Sequence, residues 1–397
     1  MQIKLPRDVE YIIEKIESHG YLADVVGGPV RDFLLGKRPL DYDITTSATP
    51  DKVKEIFSDF RTVDTGIKHG TVTVVLGGVG YEITTYRVDG EYKDSRHPES
   101  VSFTDSLAED LARRDFTMNA ISYNPVRGFT DPFFGSEDIR RGVIRAVGEP
   151  RLRFTEDALR ILRGARFSAV LGFSVEPQTR RAMSETAQLL SRVSEERIYT
   201  EWKKLLSGEF AYRALSEFSD IIGLILPEIG MPRLPDEARF MSSDFTTRQL
   251  ALFYLSLGKG AAEAFEAAMR RLKTDKRTRT VGRMLLQSVG KYDTATERGR
   301  HLLLVAIGDA EIAEGLIRLE CLLRLREPSD VESLREELAR GIPYRISDLA
   351  ISGDELTALG YRGRAVGEVL ESTLLAVARG ELSNEREVLL SSVTKLK

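Results

Sequence analysis

Cysteine is almost absent from this 397-residue chain: Cys321 stands alone, so no internal disulfide holds the fold together. Histidine is nearly as scarce, and His19, His69, His97 and His301 are scattered without the close spacing of a zinc site. No apolar run approaches the roughly 20 residues that a bilayer-spanning helix needs. The opening MQIKLPRDVE lacks the basic-then-apolar pattern of a secretory signal, so the expected location is the cytoplasm, with no membrane segment. A large excess of either charge is missing too. With a net charge of −4, attraction to a polyanion must come from local clusters of arginine and lysine. What is present reads as an ordinary globular composition, in a chain longer than one domain usually runs.

From Tyr21 to about residue 147 the text alternates short β-like runs (YLADVV, TVTVVL, YEITTYRV, VIRAVG) with glycine and proline punctuation and one or two helical stretches. After Pro150 the periodicity becomes that of helices: EDALRILRGARFSAVLGF, SEERIYTEWKKLL, RQLALFYLSLG, AAEAFEAAMRRLK and LLLVAIGDAEIAEGLIRLECLLRLR. Breaks at LPEIGMPRLPDEA and REPSDVES subdivide that part. The expected class is therefore α+β: a mixed α/β head followed by an all-helical remainder.

The first run that carries chemistry is VVGGPVRDFLLGKRPLDYDITTS. In LDYDI the alternation of apolar and acidic residues predicts a strand that projects Asp41 and Asp43 from one face. Two adjacent carboxylates repel unless a divalent cation sits between them, and hard oxygen ligands suit a Mg²⁺ that also holds substrate phosphates. Alone, such a pair is equally a solvated strand edge or turn. Upstream, VVGG reads as a strand and a Gly27-Gly28 turn, with Pro29 opening a helix. That turn brings backbone N–H groups and Arg31 towards an anion. Glu82, in GYEITTY, is either a third carboxylate beside the pair or a strand residue facing water. In EDLARRDFTMNAISYNP, Arg113, Arg114, Asp115 and Asn119 crowd a short span that combines forks for phosphate with partners for sugar hydroxyls. In RFTEDALRILRGARF the spacing predicts one helix whose broad face carries Glu156, Asp157, Arg160 and Arg163, a pattern that an ion-pair ladder also satisfies.

Taken together, GG…R…DYD, TGIKHGTV, RRDFTMNA, DPFFG…D…G, EDALRILR and ERIYTEW resemble, in order, the motifs of the class II tRNA nucleotidyltransferases, the CCA-adding family, within the superfamily shared with DNA polymerase beta and bacterial poly(A) polymerase. The resemblance is dense over residues 20 to 205 and much weaker between about 210 and 340, and ISGDELTALGYRGRAVGEVLESTLLAVARGELSNEREVLL is similar to the family's bacterial tail, so it runs nearly full length. It implies a nucleotidyltransferase head over 1–148, a helical neck with a base-reading helix over 149–207, a body over 208–310 and a tRNA-binding tail over 311–397. It implies Asp41 and Asp43 as metal-binding catalytic carboxylates, with Glu82 beside them. Gly27, Gly28 and Arg31 become a triphosphate-binding segment, and Arg114, Asp115 and Asn119 contacts to triphosphate and ribose. Glu156, Asp157, Arg160 and the nearby Arg163 become a protein template for the incoming base. The implied reaction adds CCA to the 3′ end of tRNA from CTP and ATP, with Mg²⁺ and no obligate protein partner.

The chemistry of the bases agrees with that template. Cytosine and adenine offer an amino donor beside a ring-nitrogen acceptor, whereas uracil and guanine offer a carbonyl beside a ring N–H. An Asp acceptor next to an Arg donor suits the first pair and rejects the second. Enzymes that add only the terminal A, poly(A) polymerases and a non-catalytic RNA-binding relative are the competing readings, and intact Asp41 and Asp43 oppose the last. The polar span Tyr86 to Phe103 is expected to be a mobile loop. The basic run Arg270 to Arg283 either meets RNA phosphates or is a solvated basic surface.

Overall fold

TVTVVL alternates polar and apolar side chains, and the strand it forms alternates half-buried and buried positions, with Val72, Val74 and Leu76 turned into the core. The computed structural model in which this is seen describes residues 3–90 and 101–395. It divides into two compact units, residues 1–225 and 226–397.

The first unit opens with helix α1 (Arg7–Ser18), strand β1 (Ala23–Val26), helix α2 (Gly28–Leu34), strand β2 (Ile44–Thr46) and helix α3 (Pro50–Ile56). Strands β3 (Arg61–Gly66), β4 (Thr71–Leu76) and β5 (Val79–Thr85) follow, then a short antiparallel pair, β6 (Arg87–Asp89) with β7 (Val101–Phe103). Helix α4 (Leu107–Ala112) leads to β8 (Ser122–Asn124), β9 (Gly128–Thr130) and α5 (Gly135–Arg141). A seven-stranded sheet runs in the order β3-β4-β5-β2-β1-β8-β9. All its neighbours pair antiparallel except β2 and β5, which run parallel with Ile44 beside Ile83. That one parallel pairing sets the carboxylate of Glu82 next to the approach to β2.

Helices take over from α6 (Pro150–Glu156), α7 (Leu159–Leu171), α8 (Pro177–Thr186) and α9 (Glu195–Leu206) to α10 (Ala211–Glu217) and α11 (Ser219–Ile225). The only strand residues among them, Ser174 and Val175, pair parallel with Val143 and Ile144. Helix α9 turns Ile198, Trp202, Leu205 and Leu206 inward, a stripe at the helical period that explains why this charged segment packs. The second unit is all helical: α12 (Glu237–Met241), α13 (Phe245–Leu257), α14 (Ala261–Arg271), α15 (Lys276–Ser288), α16 (Glu297–Ile307), α17 (Ala310–Leu322), α18 (Pro328–Ala339), α19 (Gly353–Ala358), α20 (Arg364–Ala378) and α21 (Arg386–Lys395). Its last helices close their own core around Leu356, Leu374, Leu389 and Val393.

Several sequence expectations need correction. The long periodicity from Leu302 to Arg326 is two helices, because Gly308 turns left-handed (φ +69°) and Asp309 caps the next helix through the Ile312 N–H. The span Tyr86 to Phe103 is not simply a loop. Tyr86 is fully buried with its hydroxyl 3.0 Å from Asp24, and residues 87–89 and 101–103 are strands. The middle of that expected loop, 91–100, lies outside the described residues. The basic run Arg270 to Arg283 is partly neutralised: of its seven basic side chains, Arg270 and Arg283 both reach Glu266, and Arg271 grips Glu228. Ion pairs inside the unit take up part of that charge and leave Lys276 and Arg277 exposed.

A close approach decides one glycine. In DPFFG, Asp131 accepts from the N–H groups of Gly135 and Ser136, and a Cβ on Gly135 would stand 2.0 Å from the carbonyl oxygen of Thr117. Gly135→Ala is expected to cost about 1–3 kcal/mol through forced displacement of that backbone. Urea denaturation of the variant checks it, and an unchanged midpoint would contradict the packing described.

Candidate active site

Asp43 stands one residue before β2. Its carbonyl accepts from Val26 N–H at 3.0 Å, so the ladder extends one residue past the strand proper. Asp41 and Tyr42 lie outside that ladder, which shortens the strand expected for LDYDI. The alternation survives in exposure: Asp41 and Asp43 are open to solvent and Tyr42 is half-buried between them. Water reaches the Asp43 side chain, yet the protein packed around it still pushes its carboxyl above the ordinary range. The negative charges of Asp41 and Glu82 add to this, and Arg114 opposes it. These three carboxylates and one guanidinium therefore share one electrostatic neighbourhood. Among the described residues no group of three or more Asp, Glu, His or Cys side chains converges tightly enough to hold a metal ion alone. Two open carboxylates side by side fit a hard cation whose remaining ligands come from phosphate and water.

The glycine turn lies beneath Arg114. Gly27 adopts φ +78° and ψ −122°, a conformation that residues bearing a Cβ rarely adopt, and a Cβ there would come within 2.8 Å of Arg114 Nη1. Its N–H is bound to the carbonyl of Ile121 at 3.0 Å. Gly28 begins α2 with Pro29 in the first turn. Arg114 lies among Asp110, Asp43 and Asp115, and its buried Nε has no hydrogen-bond partner. Burial pulls its pKa below the ordinary arginine value despite those acids. A buried, orphaned guanidinium nitrogen beside an open carboxylate pair is a feature that an anionic ligand would satisfy.

A chain of hydrogen bonds joins the next residues. Arg31 Nη1 donates to Asn119 Oδ1 at 2.8 Å, Asn119 Nδ2 donates to Asp115 Oδ1 at 3.0 Å, and Arg163 Nε donates to Asp115 Oδ2 at 2.8 Å. Arg31 is also held by Asp32 at 2.7 Å. Burial works against the Asp115 charge, but Arg163 and the Asn119 amide outweigh it and hold this carboxyl well below the usual carboxylate range.

The segment RFTEDALRILRGARF is not one helix. α6 ends at Glu156 and α7 starts at Leu159, because Asp157 takes an extended conformation (φ −135°, ψ 102°) and its Oδ1 accepts from the Leu159 N–H at 3.1 Å. Glu156 and Arg160 pair at 2.6 Å across the break, and Arg160 also donates to the carbonyls of Arg153 and Arg113, joining α7 to α6 and to the end of α4. Asp157 is set apart from them by its own partner: Oδ2 receives Arg197 Nη2 at 2.8 Å. The one broad face expected from spacing is thus two sites either side of a helix break.

Reading the sequence missed several participants. Asp110 is fully buried and holds Arg113 at 2.8 Å, with Arg114 at 3.6 Å, and its i,i+3 and i,i+4 spacing to both arginines is the signal that could have found it. Phe167 lies under the guanidinium groups of Arg31, Arg163 and Arg166, at 5.2, 5.5 and 3.8 Å from the ring centre. Arg166 is pulled down to about 10 by burial and by the neighbouring arginines Arg163 and Arg31, with Glu201 countering at 2.6 Å. Arg197 and Glu201 come from ERIYTEW, some forty residues downstream, where no local spacing links them to the site.

A mixed sheet with an acidic pair at the mouth of its central strand, a glycine turn under an arginine, and a helical stem reaching back to it define a nucleotidyltransferase architecture. The comparisons with known proteins agree. The Poly A polymerase head domain matches residues 23–145, and the probable RNA and SrmB-binding site of polymerase A matches residues 172–228. The CCA-adding enzyme of Geobacillus thermodenitrificans is 38% identical over 393 residues, covering 95% of this chain and 93% of that protein. The one from Limosilactobacillus fermentum is 36% identical, covering 97% and 96%. The crystal structure of the Bacillus stearothermophilus CCA-adding enzyme with CTP superposes with a TM-score of 0.81 at 34% identity, over 99% of this chain and 98% of that one. The chain belongs to the CCA-adding enzyme family.

Asp115→Asn removes the nearer of Arg163's two carboxylate partners, leaving Glu201 at 3.8 Å, and is expected to cost about 1–3 kcal/mol at pH 7. Because the folded carboxyl titrates below the unfolded one, that advantage of the native protein holds down to about pH 4 and shrinks as acid protonates the group. Urea melts of both proteins at pH 7 and pH 3 measure it, and a pH-independent difference would contradict the ion-pair account.

Proposed function

We propose that this chain completes tRNA by adding C, C and A to its 3′ end from CTP and ATP, with release of pyrophosphate, and that Asp41 and Asp43 hold the magnesium ions of the reaction. The observation that carries the reading is the pair of open carboxylates facing Arg114, in a chain that shares more than a third of its residues with CCA-adding enzymes along nearly its whole length. When bound, the metal supplies Lewis acidity at the α-phosphate and lowers the pKa of the attacking hydroxyl. Asp41 and Asp43 orient it from the end of β2, and Glu82 supports their negative field from the adjoining strand. Gly27 and Gly28 let the triphosphate approach the backbone, while Arg31 and Arg114 neutralise its charge. In the ligand-free protein Arg31 is tied to Asp32 and Asn119, so binding exchanges carboxylate and amide partners for phosphate oxygens. Asp115 and Asn119 brace that cradle and offer partners to ribose.

Asp157 and Arg160 read the base edge, braced by Glu156 and Arg163. Asp157 sits at a helix break, its backbone extended with the N–H still on the Arg153 carbonyl at 3.4 Å, and its carboxylate aimed by Arg197. The head (1–148) and neck (149–207) thus carry the chemistry, and the body (208–310) and tail (311–397) grip the tRNA. Within the basic run of the body, the exposed Lys276 and Arg277 are the contacts for its backbone that ion pairs do not consume. No helix among the described residues is long and apolar enough to cross a membrane, and the cytoplasm, where tRNA is processed, is the location we infer.

The test supplies labelled CTP or ATP to tRNA ending at the discriminator base, at C or at CC. The expected result is sequential C, C and A addition with pyrophosphate release. An enzyme of the terminal A alone would leave the first two substrates unextended. Asp41→Ala and Asp43→Ala are each expected to abolish addition of both nucleotides while tRNA still binds, and near-native turnover in either would remove the metal assignment. Asp157→Ala is expected to spare bond formation and to lower discrimination of CTP over UTP by about 1–3 kcal/mol, roughly tenfold to a hundredfold in relative kcat/KM. A surface ion pair would give only a small stability loss with the preference unchanged.

A further inference from the structure

Beside the carboxylate loop, a cleft of about 580 Å³ opens between the residues that precede α1, the C-terminal end of α2 and the segment leading to Asp41. Its lining includes Lys4, Lys37 and Arg38 and no acidic residue. Phe33, Pro39 and Tyr42 give it an apolar, partly aromatic floor. All three cations are exposed, and none of them forms an ion pair among the described residues. This sets them apart from the basic run of the second unit, where Arg270, Arg271 and Arg283 are neutralised by Glu266 and Glu228. At the rim Leu40 is 99% exposed, an apolar side chain held in water directly before Asp41. Unneutralised cations around half-buried rings that line a cleft are the combination that tracks a single-stranded nucleic acid, with phosphates on the charges and bases on the rings.

We propose that this cleft is a subsite for the RNA substrate, holding the backbone of the acceptor strand just before its 3′-hydroxyl. The inference rests on the reading of the chain as a tRNA-extending enzyme and adds to it where the head meets the primer. The loop that lines the cleft is the loop that ends in the carboxylates. Arg38 is five residues from Asp43, at most about 18 Å of extended backbone, which a few nucleotides of single strand cover. A strand whose terminal hydroxyl reaches Asp41 and Asp43 therefore passes within reach of Lys37 and Arg38. A free nucleotide or pyrophosphate would offer its charge to the same lysines, so the test must separate the two sources of phosphate.

The variant is Lys37→Gln combined with Arg38→Gln, two exposed positions outside the catalytic and nucleotide-binding residues; its thermal midpoint confirms folding. Steady-state kinetics are measured with tRNA ending at the discriminator base and with a minihelix of the acceptor and T arms, from low to moderate salt. The expected result is a KM for either RNA raised about tenfold at physiological salt, and a dependence of log kcat/KM on log salt shallower by about 1.4, the release expected for two single-strand phosphates. The kcat at saturating RNA and the KM for CTP stay unchanged, and Lys4→Gln adds a further, smaller rise. Three results would overturn the proposal: an unchanged KM and salt slope for RNA, a shift confined to CTP or to pyrophosphate inhibition, or an effect on tRNA that the minihelix lacks. Incorporation of CMP by the native enzyme is the control. Its failure overturns the proposed activity, whereas an unaffected variant of an active enzyme overturns the cleft alone.

Discussion

The buried carboxylate of Asp115 is the constraint on which the rest of the first unit depends. One oxygen takes the N–H of Phe116 and the amide of Asn119, and the other takes the guanidinium of Arg163. The backbone carbonyl of the same residue accepts from Val147. A single side chain therefore shapes the turn at Thr117–Asn119, holds Asn119 for Arg31, and fastens α7 to the head. A buried charge with every lone pair engaged is tolerable, whereas one left half-satisfied costs several kcal/mol. The fold can place Asp115 only where all these partners meet, and so their positions are fixed together.

The carboxylates at the mouth of β2 follow the opposite rule. Asp43 is surrounded by Asp41 and Glu82, and only Arg114 offsets them. Nothing in the fold gains from this arrangement: it raises the Asp43 carboxyl, and the nearby guanidinium keeps a buried nitrogen without a partner. Arg300 with Glu337 and Arg271 with Glu228 show the contrast: each pair is satisfied within the protein. Unsatisfied charge of both signs at one place is the mark of a site completed by something other than protein. The three guanidiniums around Phe167 extend this positive region from the glycine turn towards the neck, on a ring that is itself locked edge-on against Phe116.

Much of this was legible in the residues, and what was not has a physical reason. The strand TVTVVL, the glycine turn with Pro29 and the amphipathic α9 announce themselves through periods of two and 3.6 and through the one residue that tolerates a positive φ. Local spacing failed where a side chain competes with the backbone. At Asp157 the carboxylate bonds the Leu159 N–H and breaks the helix that periodicity continues through, and Gly308 with Asp309 does the same in the second unit. Spacing also failed for partners distant in sequence, since nothing near Asp157 in the chain foretells Arg197, or near Arg163 foretells Glu201. Charge clusters were incomplete guides on their own: the run Arg270 to Arg283 looks free in one dimension, and in three dimensions Arg270, Arg271 and Arg283 are paired.

The break at Asp157 also bears on how one site can serve two bases of different size. In a continuous helix the side chain of that position would be carried on a rigid frame, and a purine and a pyrimidine could not both meet it at hydrogen-bonding distance. At a break, Asp157 has extended backbone angles and is positioned by two bonds, one to a backbone N–H two residues on and one to Arg197 from α9. Arg160, by contrast, is buried and tied to Glu156 and to two main-chain carbonyls. One proposed reader of the base is therefore anchored and the other adjustable. The adjustment is limited by Arg197, whose second terminal nitrogen is buried without a partner and so leaves the guanidinium a bond to gain if the carboxylate moves.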